Sequence, residues 1–193
     1  MPAKSVLPRG FKTTAEKLSE QYRKEMGISI FAPLDAFALA DYLDVQVFSV
    51  DEMFIGKLDH PEYQTMSDTQ RFSAMRTYNK AEEKLIIHNT NHSPYRQQSN
   101  LMHELAHFIR NHEISDEVAQ ACAQFNLHYY NPLHEEEAKF LGGCLQITIP
   151  GLRWKLKNHC SIEHISEYYN ASIEMVKYRI KITGVQKQYG QIL

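Results

Sequence analysis

The sequence predicts one α+β domain, with a small antiparallel sheet of about three strands and several helices. All strand-like segments lie in the first half of the chain, whereas helical patterns dominate the second half. Runs of strands followed by runs of helices are typical of α+β domains. At 193 residues, the chain can bury a sizeable core without disulfide bonds.

Three segments are expected to form the sheet. Val45–Val50 alternates apolar and polar residues, which predicts a strand. Phe72–Tyr78 and Lys84–Asn89 are joined by the polar segment Asn79–Glu83, and this arrangement predicts a β-hairpin. The polar segment Asp51–Gln70 is expected to form a loop with at most one helical turn.

Helical periodicity accounts for most of the remaining chain, and Ser161 and Ser172 are expected to cap two of the helices. Pro150 predicts a boundary between a domain at 1–150 and a helical extension at 151–193 that packs on the same domain. The predicted helices are Phe11–Met26, Leu34–Leu43, Tyr95–His112, Ser115–Phe125, Pro132–Gln146, Leu152–Leu156, Ile162–Tyr169 and Ser172–Lys181.

Composition argues against several classes of protein. The net charge of −2 shows no basic excess of the kind that nucleic-acid-binding proteins carry. Three cysteines, without a Cys-x-x-Cys pair, fit reduced thiols better than a disulfide framework. No apolar run approaches the roughly 20 residues that cross a bilayer. We therefore expect a soluble cytoplasmic protein without a membrane partner.

One predicted helix carries the motif His-Glu-x-x-His. His103 and His107 are four residues apart and project from the same helical face. Two imidazoles so arranged can bind one Zn²⁺, and Glu104 can then act as general base toward a water molecule. A third protein ligand would leave the fourth position open, as in catalytic zinc sites. The alternative is a core helix with two hydrogen-bonded histidines.

The third ligand is expected from the downstream helix, which begins with three consecutive glutamates. Residues two apart on a helix point about 200° apart, so Glu135 and Glu137 cannot both face one metal, and Glu136 points away from the apolar face. Periodicity does not choose between Glu135 and Glu137. Gly142 and Gly143 would each cost a free helix roughly 1 kcal/mol, which predicts that the motif helix approaches closely there.

Two other residues are weaker candidates for the metal. His112 lies five residues beyond His107, about 140° around an uninterrupted helix, so it is not expected to be a ligand. Cys144 could donate a sulfur atom, but a lone buried cysteine usually contributes only packing.

The order of these motifs resembles the ImmA/IrrE family of zinc metallopeptidases, over roughly residues 10–190. The chain departs from the usual family pattern at Lys139 and Gln146. The resemblance rests on Arg96–His107 and Glu135–Leu145 with Pro150, on Gly10–Lys12 and Pro33–Ala40, on Phe72–Ala74 and Ile86–Asn89, and on Ser172, Tyr178–Arg179 and Thr183–Val185.

This resemblance implies a zincin-like metallopeptidase domain with the His-Glu-x-x-His motif on its central helix. It implies that Glu135, in a Glu-x-x-Ala pattern, is the third zinc ligand beside His103 and His107, and that Glu104 is the catalytic general base. The substrate it implies is a helix-turn-helix transcriptional repressor. A regulatory protein that keeps zinc but docks a transcription factor with little proteolysis is the alternative hypothesis.

Other features bear on how such a protein would work. Lys84–Asn89 is expected to offer an open sheet edge to a substrate peptide. Ile162–Val176 has the pattern of two helices around a turn, but it carries three glutamates and no lysine or arginine, which argues against direct DNA binding. The candidates for stabilising a developing oxyanion are Tyr95, Arg96, His134, Tyr178 and Arg179.

Overall fold

The three strands form a small mixed sheet in the computed structural model, which describes residues 7–112 and 131–185. The order is β1 (Val45–Ser49), β3 (Lys84–His88), β2 (Ala74–Tyr78). β2 and β3 pair antiparallel, as predicted, whereas β1 pairs parallel with β3. The prediction of a wholly antiparallel sheet was therefore wrong at β1. A long connection separates β1 from β3, and such crossovers permit parallel pairing.

This strand order also corrects the expected substrate edge. β3 lies between the other two strands, so Lys84–His88 uses both of its hydrogen-bonding edges within the sheet. Among the described strands, β1 and β2 are the outer ones. The expectation of an open edge at Lys84–Asn89 was wrong, because a hairpin pattern does not reveal which strand receives a third neighbour.

Helices make up most of the described chain and confirm the predicted α+β class. Their N-caps include Ser161 and Ser172, as predicted. The described helices are α1 (Phe11–Glu25), α2 (Ala36–Tyr42), α3 (Val50–Met53), α4 (Pro61–Ser67), α5 (Pro94–Ile109), α6 (Pro132–Gln146), α7 (Ile149–Lys157), α8 (Ile162–Tyr169) and α9 (Ile173–Thr183).

Two segments differ from their predictions. The polar segment expected as a loop contains α3 and α4, where Ser49 forms a capping box with Glu52 and His60 caps the second helix. Pro150 lies in the first turn of α7, where its missing N–H costs nothing, instead of ending the preceding region. The predicted helix Ser115–Phe125 lies outside the described residues.

The motif helix α5 is the centre of the larger hydrophobic cluster. It packs against α6, α2 and two strands, and its apolar stripe of Leu101, Met102 and Leu105 is fully buried. The predicted close approach occurs at Gly142, where an added Cβ would lie 3.1 Å from the Met102 carbonyl oxygen. Gly143 instead faces side chains of α9, with the Arg179 Cδ 3.2 Å from an added Cβ.

A second hydrophobic cluster forms among the last three helices. It begins at Ile147 and includes Leu152, Ile165, Val176 and Ile180. The start of this cluster lies near the predicted boundary at residue 150, which stays a prediction. No described helix combines the length and apolarity that crossing a bilayer requires.

Candidate metal centre

Helix α5 brings the two motif histidines together. Ser93 accepts a hydrogen bond from the Arg96 N–H and caps the helix, and Pro94 occupies its first turn. The buried stripe on the opposite side fixes the rotation of the helix, so His103 and His107 face α6. Their rings lie 4.8 Å apart, and the two Nε2 atoms are separated by 3.2 Å.

Helix α6 adds a carboxylate to this pair. Asn131 caps the helix, and Glu135 lies in its first turn. The Glu135 Oε2 is 3.2 Å from the His103 Nε2, and its Oε1 is 3.4 Å from the His107 Nε2. These three side chains form the group of His, Cys, Asp and Glu residues in the described chain that could hold a metal ion.

The spacing of these donor atoms fits a shared metal ion. Two ligands that each lie about 2.0–2.1 Å from a tetrahedral Zn²⁺ are roughly 3.3 Å apart. The observed separations of 3.2, 3.2 and 3.4 Å are close to that value. Two imidazoles and one carboxylate are also the donor set of several catalytic zinc sites.

The protonation of the donors favours metal binding as well. Burial, reinforced by the Arg76 and His103 charges, lowers the pKa of His107 to about 3. The hydrogen bond with His103, opposed by burial, holds the pKa of Glu135 below its ordinary value. Metal ligands must be deprotonated, so a neutral imidazole and an ionised carboxylate at neutral pH suit the site.

Glu104 lies beside the donor group and faces strand β2. The Nη1 of Arg76, on β2, is 3.7 Å from the Glu104 Oε2, and the glutamate side chain is only 13% exposed. Burial raises the pKa of Glu104, while the positive charge of Arg76 opposes that rise. A carboxylate in this setting is a better proton acceptor than an exposed glutamate.

Glu137 points to the other side of α6 and does not contact the three donors. Its Oε2 accepts hydrogen bonds from the Arg110 Nε at 2.9 Å and from the His112 Nε2 at 3.0 Å. Burial acts to raise the pKa of Glu137, but these hydrogen bonds outweigh it and leave the pKa below its ordinary value. The structure thus directs Glu135 to the histidine pair and Glu137 to His112.

Comparison with known families gives a match that covers the candidate metal centre. The IrrE N-terminal-like domain, a peptidase family, matches residues 40–181 of the chain. The chain belongs to this family. The match includes both helices of the candidate metal centre, and members of the family are typically metal-dependent.

Solved structures provide a fold-level comparison for this IrrE-like domain. A Mycobacterium tuberculosis transcriptional regulator matches with a TM-score of 0.53 and 15% identity, over 95% of this chain. The chain spans about half of that regulator's length, 50%. At this identity the likeness concerns the fold alone. Comparison with curated proteins found no match.

The structure of the IrrE-like domain also locates the other sequence candidates. Arg179, one of the oxyanion candidates, is fully buried and donates to the Ile147 carbonyl oxygen and to Glu16. Cys144 accepts a hydrogen bond from Arg179 and lies outside the donor group. His134 stacks on His112, with ring centroids 4.2 Å apart.

Three further oxyanion candidates lie on two helices. Tyr95 is exposed at the start of α5, and Arg96 in the next position donates to the Ser73 hydroxyl. Tyr178 lies against Gly143, with the Lys139 Nζ 5.7 Å from its ring centroid. None of these contacts involves the donor group.

The two departures from the family pattern also lie away from the donors. Gln146 is buried, accepts a hydrogen bond from Ser99 and donates one to the Asn170 carbonyl oxygen. Lys139 is exposed, and the contact it makes is with the ring of Tyr178. Gln146 therefore connects α6 to α5 and to the end of α8 without reducing the donor set.

Sequence reasoning missed two residues of this site. Arg76 lies in a strand with nothing in the local pattern to mark it, and only the packing of β2 beside α5 brings it to Glu104. His112 approaches His107 because α5 ends at Ile109 and Asn111 adopts a left-handed conformation with φ 50°. The expected 140° separation assumed a helix that continued to residue 112.

Proposed function

We propose that this domain is a zinc-dependent endopeptidase that hydrolyses a peptide bond in a specific protein substrate in the cytoplasm. Under this proposal, His103, His107 and Glu135 hold the zinc, and Glu104 is the catalytic general base. The main support is the set of donor separations, 3.2, 3.2 and 3.4 Å, which fit one tetrahedral ion.

Protein side chains would carry out the proton transfers of the reaction. A zinc ion in this position supplies Lewis-acid chemistry, polarising a peptide carbonyl and activating a water molecule. A Glu104 carboxylate oxygen accepts a proton from that water and delivers it to the nitrogen of the leaving amine. Burial raises the pKa of Glu104, which favours the protonated form that this second step requires.

The strand β2 is the proposed surface for the substrate peptide. It is an outer strand of the described sheet, and its Arg76 contacts Glu104. A peptide that extended the sheet at β2 would pass beside the general base, and main-chain hydrogen bonds would hold it there. This proposal replaces the edge that the sequence suggested at β3.

The proposed substrate is a helix-turn-helix transcriptional repressor. Support comes from the resemblance to ImmA/IrrE proteins, and the fold neighbour described as a transcriptional regulator is consistent with a role in transcription. Direct DNA binding has no support in the charge pattern. The apolar side chains of the helix pair α8 and α9 are buried in the second cluster.

The test is a cleavage assay with a helix-turn-helix regulator from the same genome as the candidate substrate. The wild type loaded with zinc should cut the regulator, and Glu104→Gln should bind zinc but lose cleavage by at least about 100-fold, since the general base is removed. Glu167→Gln, an exposed change on α8, is the matched control and should cut normally.

Metal content tests the zinc site that both hypotheses require, and the fate of the regulator separates the two. His103→Ala and His107→Ala should reduce bound zinc, measured by elemental analysis after gel filtration. A wild type that binds zinc and forms a stable complex with the intact regulator would support the non-proteolytic regulatory protein. A wild type without zinc would contradict both hypotheses.

A further inference from the structure

We infer that His112 and Glu137 are positioning residues, which together fix the orientation and the hydrogen position of the His107 ring. This inference rests on the proposed zinc site, because it concerns how one of the proposed ligands is held. Neither residue belongs to the donor group of His103, His107 and Glu135.

Hydrogen bonds connect His107, His112 and Glu137 in a continuous series. The His112 Nδ1 lies 2.9 Å from the His107 Nδ1, on the side of the His107 ring away from Glu135. The His112 Nε2 lies 3.0 Å from the Glu137 Oε2, and the same oxygen accepts the Arg110 Nε–H at 2.9 Å. His107, His112 and Glu137 are each at most 6% exposed, so solvent has little access to these hydrogen bonds.

The direction of each hydrogen bond follows from the proposed ligand atom. A neutral His107 that offers its Nε2 lone pair to a metal must carry its hydrogen on Nδ1. That N–H then donates to the His112 Nδ1, which must be bare. His112 therefore carries its hydrogen on Nε2 and donates it to Glu137. One carboxylate, two residues removed from the proposed ligand Glu135, thus specifies the tautomers of two histidines.

The backbone and a ring contact hold this series of hydrogen bonds in place. After α5 ends, the His112 N–H donates to the His107 carbonyl oxygen at 3.0 Å, and the left-handed Asn111 turns the chain back toward the helix. The His112 ring stacks on His134, with an interplanar angle of 1°. His134 and Glu137 are one turn apart on α6, so this helix positions both sides of His112.

This series of hydrogen bonds gives the two glutamates of α6 separate roles. Glu135 would bind the metal directly, and Glu137 would act on the metal ligand His107 through His112. Loss of the His112 acceptor would leave the His107 Nδ1–H buried without a partner, and the ring would be free to turn its Nε2 from the site. We expect a lower affinity for zinc, although all three proposed ligands remain.

Zinc affinity tests the inference directly. Competition with a chromophoric chelator should show about 10- to 100-fold weaker zinc binding for His112→Phe, which keeps a ring for stacking but removes the acceptor. Glu137→Gln should weaken binding in the same direction. Glu136→Gln, an exposed change between the two glutamates, is the matched control and should bind zinc within about twofold of the wild type. Cobalt-substituted His112→Phe should also show an altered visible absorption spectrum.

The outcomes separate this inference from the proposed function. A wild type without zinc affinity refutes the zinc site itself, and with it the relay, the series of hydrogen bonds from His107 through His112 to Glu137. Wild-type affinity in both His112→Phe and Glu137→Gln, with the wild type binding zinc, refutes the relay alone. If either variant is unfolded by circular dichroism, imidazole ¹⁵N resonances of the zinc-loaded wild type decide: a hydrogen on the His112 Nε2 supports the relay, and one on Nδ1 overturns it.

Discussion

Gly142 sets how closely the two site helices approach each other. An added Cβ would lie 3.1 Å from the Met102 carbonyl oxygen and 3.2 Å from the His103 backbone nitrogen. Backbone atoms of a buried helix cannot move independently, so a larger residue must push α6 away from α5. Glu135, on α6, would then move away from His103 and His107.

Gly142→Ala should therefore lower the free energy of unfolding by roughly 1 kcal/mol, because overpacking costs about 1–3 kcal/mol and the gain in helix propensity offsets about 1 kcal/mol. Zinc affinity should fall as well. Gly143→Ala is the comparison variant, because its Cβ would meet side-chain atoms of α9 and no backbone atom of α5. Urea unfolding and chelator competition measure the two effects. Equal behaviour of the two variants would contradict this prediction.

Arg76 should set the acid limb of the activity profile. Its positive charge opposes the rise that burial causes in the pKa of Glu104. In Arg76→Gln that pKa should rise further, so a larger fraction of the general base is protonated at a given pH. Activity at pH 6 relative to pH 8 should fall, whereas Arg76→Lys, which keeps the charge, should retain more of it. An unchanged pH–rate profile in Arg76→Gln would disprove this role.

At the scale of single residues, helical spacing predicted the histidine pair because four residues make about one turn of any α-helix. It could not choose between Glu135 and Glu137, since both flank the apolar face and both reach buried partners. Arg76 was not predictable, because its role depends on the packing of a strand against a helix distant in sequence.

The C-terminus of α6 shows how one element is held at a fixed position. The Cys144 carbonyl oxygen accepts from the Ser19 hydroxyl, and the Leu145 and Gln146 carbonyl oxygens accept from the Arg23 guanidinium. The Arg179 Nε donates to the Ile147 carbonyl oxygen. Carbonyl groups at a helix end have no partners within the helix, and positive charge there also complements the helix dipole.

Arg23→Met should destabilise the protein by about 2–4 kcal/mol, since each buried acceptor left unpaired costs about 1–3 kcal/mol and removal of a buried charge offsets part of that loss. Burial lowers the pKa of Arg23 to about 10, so the guanidinium is still charged at neutral pH. Chemical unfolding measures the change. Arg23→Lys should lose less, and the exposed Arg153→Met should stay within about 0.5 kcal/mol of the wild type. A small effect of Arg23→Met would contradict the stabilising role of Arg23 at the end of α6.

At the scale of elements, the helices were predictable where periodicity and caps agreed, as for α6, α8 and α9. Strand pairing was less predictable than the helices, because residue alternation identifies a strand but does not identify its neighbours or their direction. β1 therefore joined β3 in parallel against expectation, and the proposed substrate edge moved to β2. The short helices α3 and α4 depend on caps within a polar segment that lacks a long apolar stripe.

The whole molecule combines two hydrophobic clusters, one around α5 and one among α7 to α9. Length and composition predicted a chain that could bury such a core. They did not predict that several histidines would be buried inside it, because histidine is common at both buried and exposed positions. Those histidines make the stability of the metal-free protein depend on pH.

Burial lowers the pKa of His88, His92, His107 and His112 below the ordinary value of 6.5. Above pH 6.5, these groups are neutral in both the folded and the unfolded chain, so they add no pH dependence. Below it, the unfolded chain takes up protons that the folded chain excludes, and the free energy of unfolding falls by at most about 1.4 kcal/mol per pH unit for each histidine. Glu135 and Glu137, whose pKa values are lowered, add their own loss only below about pH 4.5.

Between pH 6.5 and 4.5 these histidines therefore lower the free energy of unfolding, and Glu104, whose raised pKa acts in the opposite direction, offsets part of that loss. In the presence of EDTA, urea unfolding should show a free energy that decreases steadily across this interval. His88→Phe should reduce the slope, because this buried side chain lies outside the donor group and its Nδ1 has no hydrogen-bond partner within the described chain. His164→Gln, an exposed change on α8, is the matched control. Equal slopes for His88→Phe and the wild type would mean that His88 takes up its proton in the folded protein as readily as in the unfolded chain.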